Sequence, residues 1–207
     1  MDDDAARARL LDAAEDLFYA RGIQSVGMDA IRDASGVPLK RLYQLFPAKE
    51  QLVEAYLERR DRSWRGGLAA YVERRPDPQQ RILAVFDWLQ AWFSEPGFRG
   101  CAWINSYGEL GPASPAVTAQ ARRHKDAFRA YLRGLAAAAA LPESVADSLY
   151  LLAEGAMVTA AIFTTAEPAS RARSAAEQLL AAARVARRPR SGYAPTVSGS
   201  LPVAPGL

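Results

Sequence analysis

Apolar residues recur every three to four positions along most of the chain, and this spacing predicts helices. The first apolar stripe falls on one face of a helix from about Asp3 to Ala20. Its members are Leu10, Ala14, Leu17 and Phe18. No window alternates apolar and polar residues for long enough to predict a sheet. We therefore expect an all-α protein with about nine helices.

Two short helices follow the first, at about Met28–Ala34 and Pro38–Gln44. Between them, Gly36 permits the left-handed backbone that a sharp turn between helices needs. Pro38 suits the first position of the third helix, because its missing N–H would have no helical partner there. The pattern is typical of two helices joined by a tight turn.

The remaining pattern predicts a long helix from about Lys49, interrupted at Pro76 and Pro78, and then further helices. These are expected at about 79–95, 100–110, 115–140, 142–165 and 169–187. The helix at 142–165 is apolar around most of its circumference, so its own domain or a second subunit must cover it on several sides. Residues 188–207 contain four prolines and three glycines, which predicts a disordered tail.

Composition narrows the class of protein. The single cysteine, Cys101, excludes an intramolecular disulfide. The acidic start Met1-Asp2-Asp3-Asp4 is unlike a secretory signal, and no run of 18 or more apolar residues predicts a membrane span. We expect a cytoplasmic protein with no membrane partner. No phosphate loop, zinc-ligand set or nucleophile motif is present, so no cofactor or metal is predicted.

Charge is informative only where it is concentrated. The whole chain has 26 basic and 23 acidic residues, a net charge of +3 that does not mark a nucleic-acid binder. Residues 34–49, however, contain Lys40, Arg41 and Lys49 and no acidic residue. Because counterion release depends on charges at the interface, such a local patch favours contact with phosphates.

The segment from residue 10 to residue 53 reads LLDAAEDLFYARGIQSVGMDAIRDASGVPLKRLYQLFPAKEQLV. It resembles the DNA-binding domain of the tetracycline-repressor (TetR) family over about 45 residues in register without a gap. The matching residues are Ala13-Ala14, Leu17-Phe18, Gly22, Met28, Ile31, Ala34, Ser35-Gly36-Val37, Leu42-Tyr43, Phe46, Lys49-Glu50 and Leu52. The resemblance implies a helix-turn-helix domain over residues 1–50 and a helical ligand-binding and dimerisation domain over residues 51–187.

Two features depart from the family pattern. Family members often carry threonine at the position of Val26, where a hydroxyl caps the second helix near a phosphate; capping here falls to Gly27 or Ser25. The recognition helix of the family commonly has small residues at the positions of Lys40 and Arg41, so the operator of this protein should differ from those of better-known members.

In a helix-turn-helix, the second helix of the motif enters the major groove and presents its N-terminal residues to base edges. Arginine and lysine donate to guanine, and glutamine pairs with adenine. The resemblance implies phosphate contacts for Tyr43 and Lys49. Without this context, a Lys-Arg pair is usually a solvated face and a lone tyrosine an aromatic at the core edge. The predicted DNA-binding residues are Ser25, Gly27, Pro38, Leu39, Lys40, Arg41, Tyr43, Gln44 and Lys49.

The resemblance also implies that the last two helices pair with those of a second copy in a four-helix bundle. The predicted interface residues are Leu149, Leu152, Met157, Phe163, Ala172, Ala176, Leu179 and Ala183. The alternative is that these residues form the core of a monomer.

A ligand pocket is predicted on the middle helices, where aromatic residues accompany a few polar ones. Its residues are Trp88, Trp92, Phe93, Trp103, Tyr107, Glu109, His124, Phe128 and Glu154. The alternative is that the aromatics are core residues and that His124 is a hydrogen-bonded core histidine. Cys101 is either a thiol sensor or a buried small apolar residue.

The leading hypothesis is a repressor that binds a palindromic DNA operator as a homodimer and is released by an unknown small-molecule effector. Activation rather than repression stays open. A second hypothesis is a helical enzyme using Glu109, His124 and Glu154, although these lie on three different predicted helices with no known catalytic spacing. A third is a helix-turn-helix protein without an effector.

Overall fold

A computed structural model describes residues 2–186, and helices are the only regular secondary structure in that range. The predicted tail, 188–207, lies outside the described residues. In chain order, the helices are α1 (Asp3–Arg21), α2 (Met28–Ser35), α3 (Leu39–Leu45), α4 (Lys49–Val72), α5 (Pro78–Phe93), α6 (Ala102–Leu110), α7 (Pro115–Ala138), α8 (Glu143–Phe163) and α9 (Glu167–Ala186). The all-α prediction is confirmed.

The turn between α2 and α3 forms as its glycine predicts. Gly36 ends α2 with a φ of +63° in the left-handed region, and its N–H donates to the Arg32 carbonyl at 2.8 Å. Pro38 is not the first residue of α3, as was predicted, but its N-cap. Its ψ of 141° is extended, so the helical backbone begins at Leu39.

The first three helices and the start of α4 share one apolar core. Leu10 of α1, Ile31 of α2 and Leu42 of α3 are completely buried in it. Leu52 joins this core from α4, which then continues through residue 72 into the rest of the protein. The division into domains at residue 50 stays a prediction, since α4 crosses that point without a break.

The rest of the protein is built around α5, which packs against α4, α7, α8 and α9. Its central residues Ile82, Val85, Phe86 and Leu89 are completely buried. Because four helices surround α5, its apolar residues are buried on several sides of the helix. The helices α8 and α9 pack against each other at one side of this body.

Helix α8 buries only one of its apolar faces. Leu149, Met157 and the alanines between them are buried against the body, whereas Leu151, Ile162 and Phe163 are 67–70% exposed. By length and composition alone α8 would also pass as a membrane span, but a third of that window is buried inside the protein. Helix α8 is therefore apolar both on the side that packs within the protomer and on a side that is exposed.

This arrangement corrects half of the predicted dimer interface. Four of the eight predicted residues are buried within the protomer and are therefore not available to a second subunit: Leu149, Met157, Ala172 and Ala176. The other four remain partly or largely accessible: Leu152, Phe163, Leu179 and Ala183. Leu151, Val158 and Ile162 are exposed as well, although they were not predicted for the interface.

Candidate DNA-binding surface

Helix α3 is anchored on one side and exposed on the other. Leu42 is completely buried and Phe46, which follows the helix, is 2% exposed, so this side packs on the neighbouring helices. Pro38, Lys40, Tyr43 and Gln44 are exposed, and Leu39 is half-buried. The face predicted to meet DNA is therefore accessible to a major groove.

Arg41 is held by an acidic residue that the predicted surface did not include. Its guanidinium forms an ion pair with the Asp3 carboxylate at the start of α1 and donates to Gln44 Oε1 at 3.3 Å. Both carboxylate and guanidinium are partly solvated. The Asp3 carboxylate lowers the net positive charge of this surface. To reach a base or a phosphate, Arg41 has to break its ion pair with Asp3.

The variant Asp3→Asn is expected to raise affinity for the operator by up to about fivefold, because an exposed ion pair is worth about 0.2–1 kcal/mol. Titrating a fluorescent operator with protein measures the change. Asp4→Asn is the matched control, since it removes the same charge from the next residue of α1. An equal gain from Asp4→Asn would assign the effect to net charge rather than to the Arg41 pair.

The N-terminus of α2 is capped by a glycine. Gly27 occupies the N-cap position without a side-chain hydrogen bond, and Val26 is buried in the core. Ser25 Oγ donates instead to the carbonyls of Arg21 and Gly22, at 2.7 and 3.1 Å. Of the two alternatives for the cap, the structure therefore favours Gly27. The first N–H groups of α2 are left without a side-chain acceptor, which favours an anion such as phosphate.

The two residues predicted to contact phosphates differ in accessibility. The Tyr43 side chain is 45% exposed on the outer face of α3. Lys49 opens α4 and is half-buried, with its ammonium 5.9 Å from the centre of the Phe18 ring. The Tyr43 side chain is thus accessible to a phosphate, whereas Lys49 packs partly on the apolar core formed by α1, α2, α3 and the start of α4.

Two hydrogen-bonded links join the end of α1 to the body. The Tyr19 hydroxyl donates to the Gly100 carbonyl at 2.8 Å and accepts the Arg99 N–H at 2.9 Å. Just beyond α1, the Gln24 N–H donates to Glu109 Oε2 at 2.9 Å. We call these the Tyr19 link and the Glu109 link. The Glu109 link corrects the pocket prediction, because Glu109 faces Gln24 beyond the end of α1 and not the aromatic residues.

Most of the predicted aromatic residues lie in one cluster centred on Trp64, which the pocket prediction missed. The ring centre of Trp64 is 5.0 Å from that of Trp88, 5.7 Å from that of Trp92 and 5.3 Å from that of Phe128. Phe93 joins through Trp92 at 5.6 Å. Tyr107 lies outside the cluster, because its side chain is 51% exposed on α6.

His124 connects this cluster to Asp61 of α4. It is 2% exposed, its Nδ1 lies 2.7 Å from Asp61 Oδ1, and its ring stacks on Trp103 with 3.4 Å between ring centres. Burial lowers the pKa of His124 to about 4, so the ring is neutral at pH 7 and its Nδ1–H donates to the carboxylate. The geometry is that of a hydrogen-bonded core histidine.

The wild-type protein is expected to lose about 2 kcal/mol of unfolding free energy between pH 7 and pH 5 through His124. The unfolded chain protonates this residue near its ordinary pKa of about 6.5, whereas the folded protein resists protonation until about pH 4. Stability therefore falls as the pH drops through that window. Asp61, Arg65 and Lys125 are the charged groups nearest the ring.

Urea unfolding of wild type and His124→Asn at both pH values measures this loss, since asparagine keeps a donor but does not titrate. The variant should show a pH dependence smaller by about 2 kcal/mol. Equal pH dependence in the two proteins would contradict the assignment.

The third polar residue of the predicted pocket, Glu154, is also occupied. Its Oε2 accepts from Lys125 Nζ at 2.6 Å, and the same ammonium lies 3.3 Å from the buried Sγ of Cys101. Glu109, His124 and Glu154 thus bind three separate partners, Gln24, Asp61 and Lys125. They do not converge on one point as an active site would require.

Comparison with known proteins agrees with this geometry. The family model described as "Bacterial regulatory proteins, tetR family" matches residues 10–56. A TetR-family transcriptional regulator from Streptomyces coelicolor is 31% identical, with a TM-score of 0.77 over 87% of this chain and 96% of that one. A putative TetR transcriptional regulator from Streptomyces avermitilis is 30% identical, with a TM-score of 0.71 over 86% of this chain and 98% of that one.

A shorter match joins the chain to a curated relative. The HTH-type transcriptional activator FasR of Mycolicibacterium smegmatis is 35% identical over 91 residues, which are 42% of each chain. The match therefore spans well under half of that relative. The two solved structures, by contrast, are matched almost from end to end and contain the body as well as the helix-turn-helix. The chain belongs to the TetR family of DNA-binding transcriptional regulators, which are not enzymes.

Proposed function

We propose that this regulator is a repressor that binds a palindromic operator as a homodimer and leaves it when a small-molecule effector binds. The observation that supports it best is the exposed face of α3, on which Lys40, Tyr43 and Gln44 point away from a fully buried Leu42. In this proposal Lys40, Arg41 and Gln44 read base edges, and Tyr43 with Lys49 and the N-terminus of α2 holds phosphates.

The exposed face of α8 supports the homodimer. Leu151, Val158, Ile162 and Phe163 form an exposed apolar strip on α8. Of these, Leu151 and Phe163 line a groove between α8 and α9, together with Gly155 and Thr159. Monomeric proteins rarely expose so continuous an apolar strip. A second copy of the same strip covers it through a twofold axis, and the small residues allow the helices to approach closely. We place the dimer interface on this strip.

The links between α1 and the body support a response to effectors. Because α3 packs on α1, a change that moves α6 reaches the recognition helix through the Tyr19 and Glu109 links. We keep the aromatic cluster as the effector site, with the buried indole N–H groups of Trp64 and Trp103 as donors. Neither group has a hydrogen-bond partner among residues 2–186. A constitutive DNA binder would instead show no thermal stabilisation by any ligand.

Activation is the second candidate, because the relative FasR is named as a transcriptional activator. Deleting the gene and measuring a reporter driven by its own upstream DNA separates the two. A repressor predicts higher reporter expression that wild type reverses and the variant Lys40→Ala with Arg41→Ala does not. Lower expression after deletion would instead indicate an activator. In both cases we place the protein in the cytoplasm, where the chromosome is.

A further inference from the structure

A cluster of four charged residues holds α1 against α4. The Glu15 carboxylate of α1 accepts from two arginines of α4, with its Oε2 2.8 Å from Arg59 and its Oε1 2.7 Å from Arg60. Arg59 also donates to Asp12, which lies one turn earlier on α1, at 2.7 Å. We call these four residues, Asp12, Glu15, Arg59 and Arg60, the Glu15 clamp.

The centre of the Glu15 clamp is shielded from solvent. The side chains of Glu15 and Arg60 are only 29% and 13% exposed. The Arg60 guanidinium also lies 3.9 Å from the centre of the Tyr19 ring. Because the Tyr19 hydroxyl bonds to residues 99 and 100, α1, α4 and the segment before α6 meet at Arg60. The Glu15 clamp is therefore continuous with the Tyr19 link.

The position of α3 in the protein depends on α1. Helices α2 and α3 pack on α1 and on each other, whereas α1 packs on α4, which continues into the body. The angle between α1 and α4 therefore determines where the recognition helix lies relative to the body. In a homodimer, that angle also determines the distance and the rotation between the two copies of α3.

Apolar packing alone does not fix this angle. Phe18 of α1 packs against Tyr56 of α4, with 5.8 Å between their ring centres, but the free energy of apolar burial has no preferred direction. Hydrogen bonds between a carboxylate and guanidinium groups are directional, and two of them on Glu15 restrict its orientation further. A partly buried ion pair also adds little stability over an apolar pair of the same size. The Glu15 clamp is thus suited to orient α1 on α4.

We propose that Glu15 is a positioning residue that fixes α1, and with it α3, at one orientation on the body, and so restricts the dimer to operators with one half-site spacing. Glu15 acts through Arg59 and Arg60 and not through a contact with DNA. This inference rests on the proposed function, since only a dimer on a palindrome has a spacing to select.

Two DNA duplexes test the proposal. One contains the palindrome that the protein protects from nuclease in the DNA upstream of its gene, and the other contains the same palindrome with one base pair inserted at its centre. The insertion moves one half-site by about 3.4 Å and turns it by about 35° around the duplex. Wild type should bind the lengthened duplex at least about 100-fold more weakly, because one protomer loses its base contacts.

The variant Glu15→Gln keeps the size of the side chain and removes the charge that holds both arginines. We expect the ratio of the two dissociation constants to fall to about tenfold or less, because α1 can then turn on α4 and reach the displaced half-site. Affinity for the original palindrome should fall only a few-fold, through the cost of ordering a looser protomer. A loss of folded protein, or a change in net charge, affects binding to both duplexes equally and cancels in the ratio.

Asp147→Asn is the matched control. The Asp147 carboxylate of α8 also accepts from two arginines of a neighbouring helix, Arg129 and Arg133 of α7, at 2.9 and 3.2 Å. The control removes the same charge from a similar cluster that includes neither α1 nor α4, so its ratio should equal that of wild type. An unchanged ratio in Glu15→Gln, or an equal fall in both variants, would overturn the proposal.

Arg60→Lys decides the question if Glu15→Gln does not fold. Lysine keeps the positive charge beside Glu15 but has no planar guanidinium to lie over the Tyr19 ring, so the ratio should again fall to about tenfold or less. The wild-type ratio in this variant would overturn the proposal alone. A footprint without a palindrome, or a wild-type protein that binds the two duplexes equally, would contradict the proposed function and this inference with it.

Discussion

Replacing Lys40 and Arg41 with alanine is expected to lower operator affinity by at least about 100-fold, with the fold and the dimer unchanged. Each base contact of this kind is worth about 1–3 kcal/mol, and a dimer loses them in both half-sites. Both residues lie on α3 away from its buried side, so their removal leaves no cavity in the core. Fluorescence anisotropy with a labelled operator measures the loss.

The variant Arg122→Ala with Arg123→Ala is the matched control. It removes an adjacent pair of exposed cations from α7, so the net charge changes equally. Operator affinity should stay within a few-fold of wild type, because these side chains lie on α7 and not on the exposed face of α3, so they act only through long-range charge. Equal losses in the two double variants would show that general electrostatic attraction, not the α3 surface, holds the DNA.

Placing a charge on the exposed strip of α8 is expected to separate the dimer. The Ile162 side chain is 70% exposed in the protomer, so Ile162→Glu costs the isolated fold little. In the dimer, however, it buries two carboxylates in an apolar interface, and the dissociation constant should rise by at least about 100-fold. Analytical ultracentrifugation at micromolar concentration should then show a monomer.

Tyr107→Glu supplies the control for this variant. Tyr107 is also a large exposed residue, with 51% of its surface accessible, but it lies on α6 and not on α8. That variant should remain a dimer. A dimeric Ile162→Glu protein, or a monomeric Tyr107→Glu protein, would place the interface elsewhere.

The elements of the fold could be predicted because their signals are local. An apolar stripe every three to four residues marks a helix, and Gly36 marks the turn that separates α2 from α3. The predicted range of α3 differs from the observed helix by one residue at each end, because proline fits both the first helical position and the cap before it. Anchors such as Leu42 then determine which face of α3 is exposed.

The exposed strip of α8, on which we propose the dimer interface, could not be located in the same way. Helix α8 is apolar around most of its circumference, so its pattern has no phase that separates the protomer core from an outer face. Leu149 and Leu151 are equally apolar in the sequence, yet one is completely buried and the other 67% exposed. Only the packing of α8 against α5, α7 and α9 distinguishes them.

The two links depend on contacts between distant parts of the chain. Tyr19 meets residues 99 and 100, and Gln24 meets Glu109, across 80 or more residues. No local spacing predicts such pairs. The sequence therefore places Glu109 among the pocket residues, whereas the fold brings it to Gln24.

A nuclease footprint on the DNA upstream of the gene tests the central claim most directly. We predict a protected palindrome whose half-sites lie about 34–36 Å apart, one turn of the double helix or a multiple of it, as expected for two α3 helices related by a twofold axis. The protection should disappear with the variant Lys40→Ala and Arg41→Ala. Protection that is not symmetric, or binding no tighter than to unrelated DNA, would contradict a dimeric regulator that reads DNA through α3.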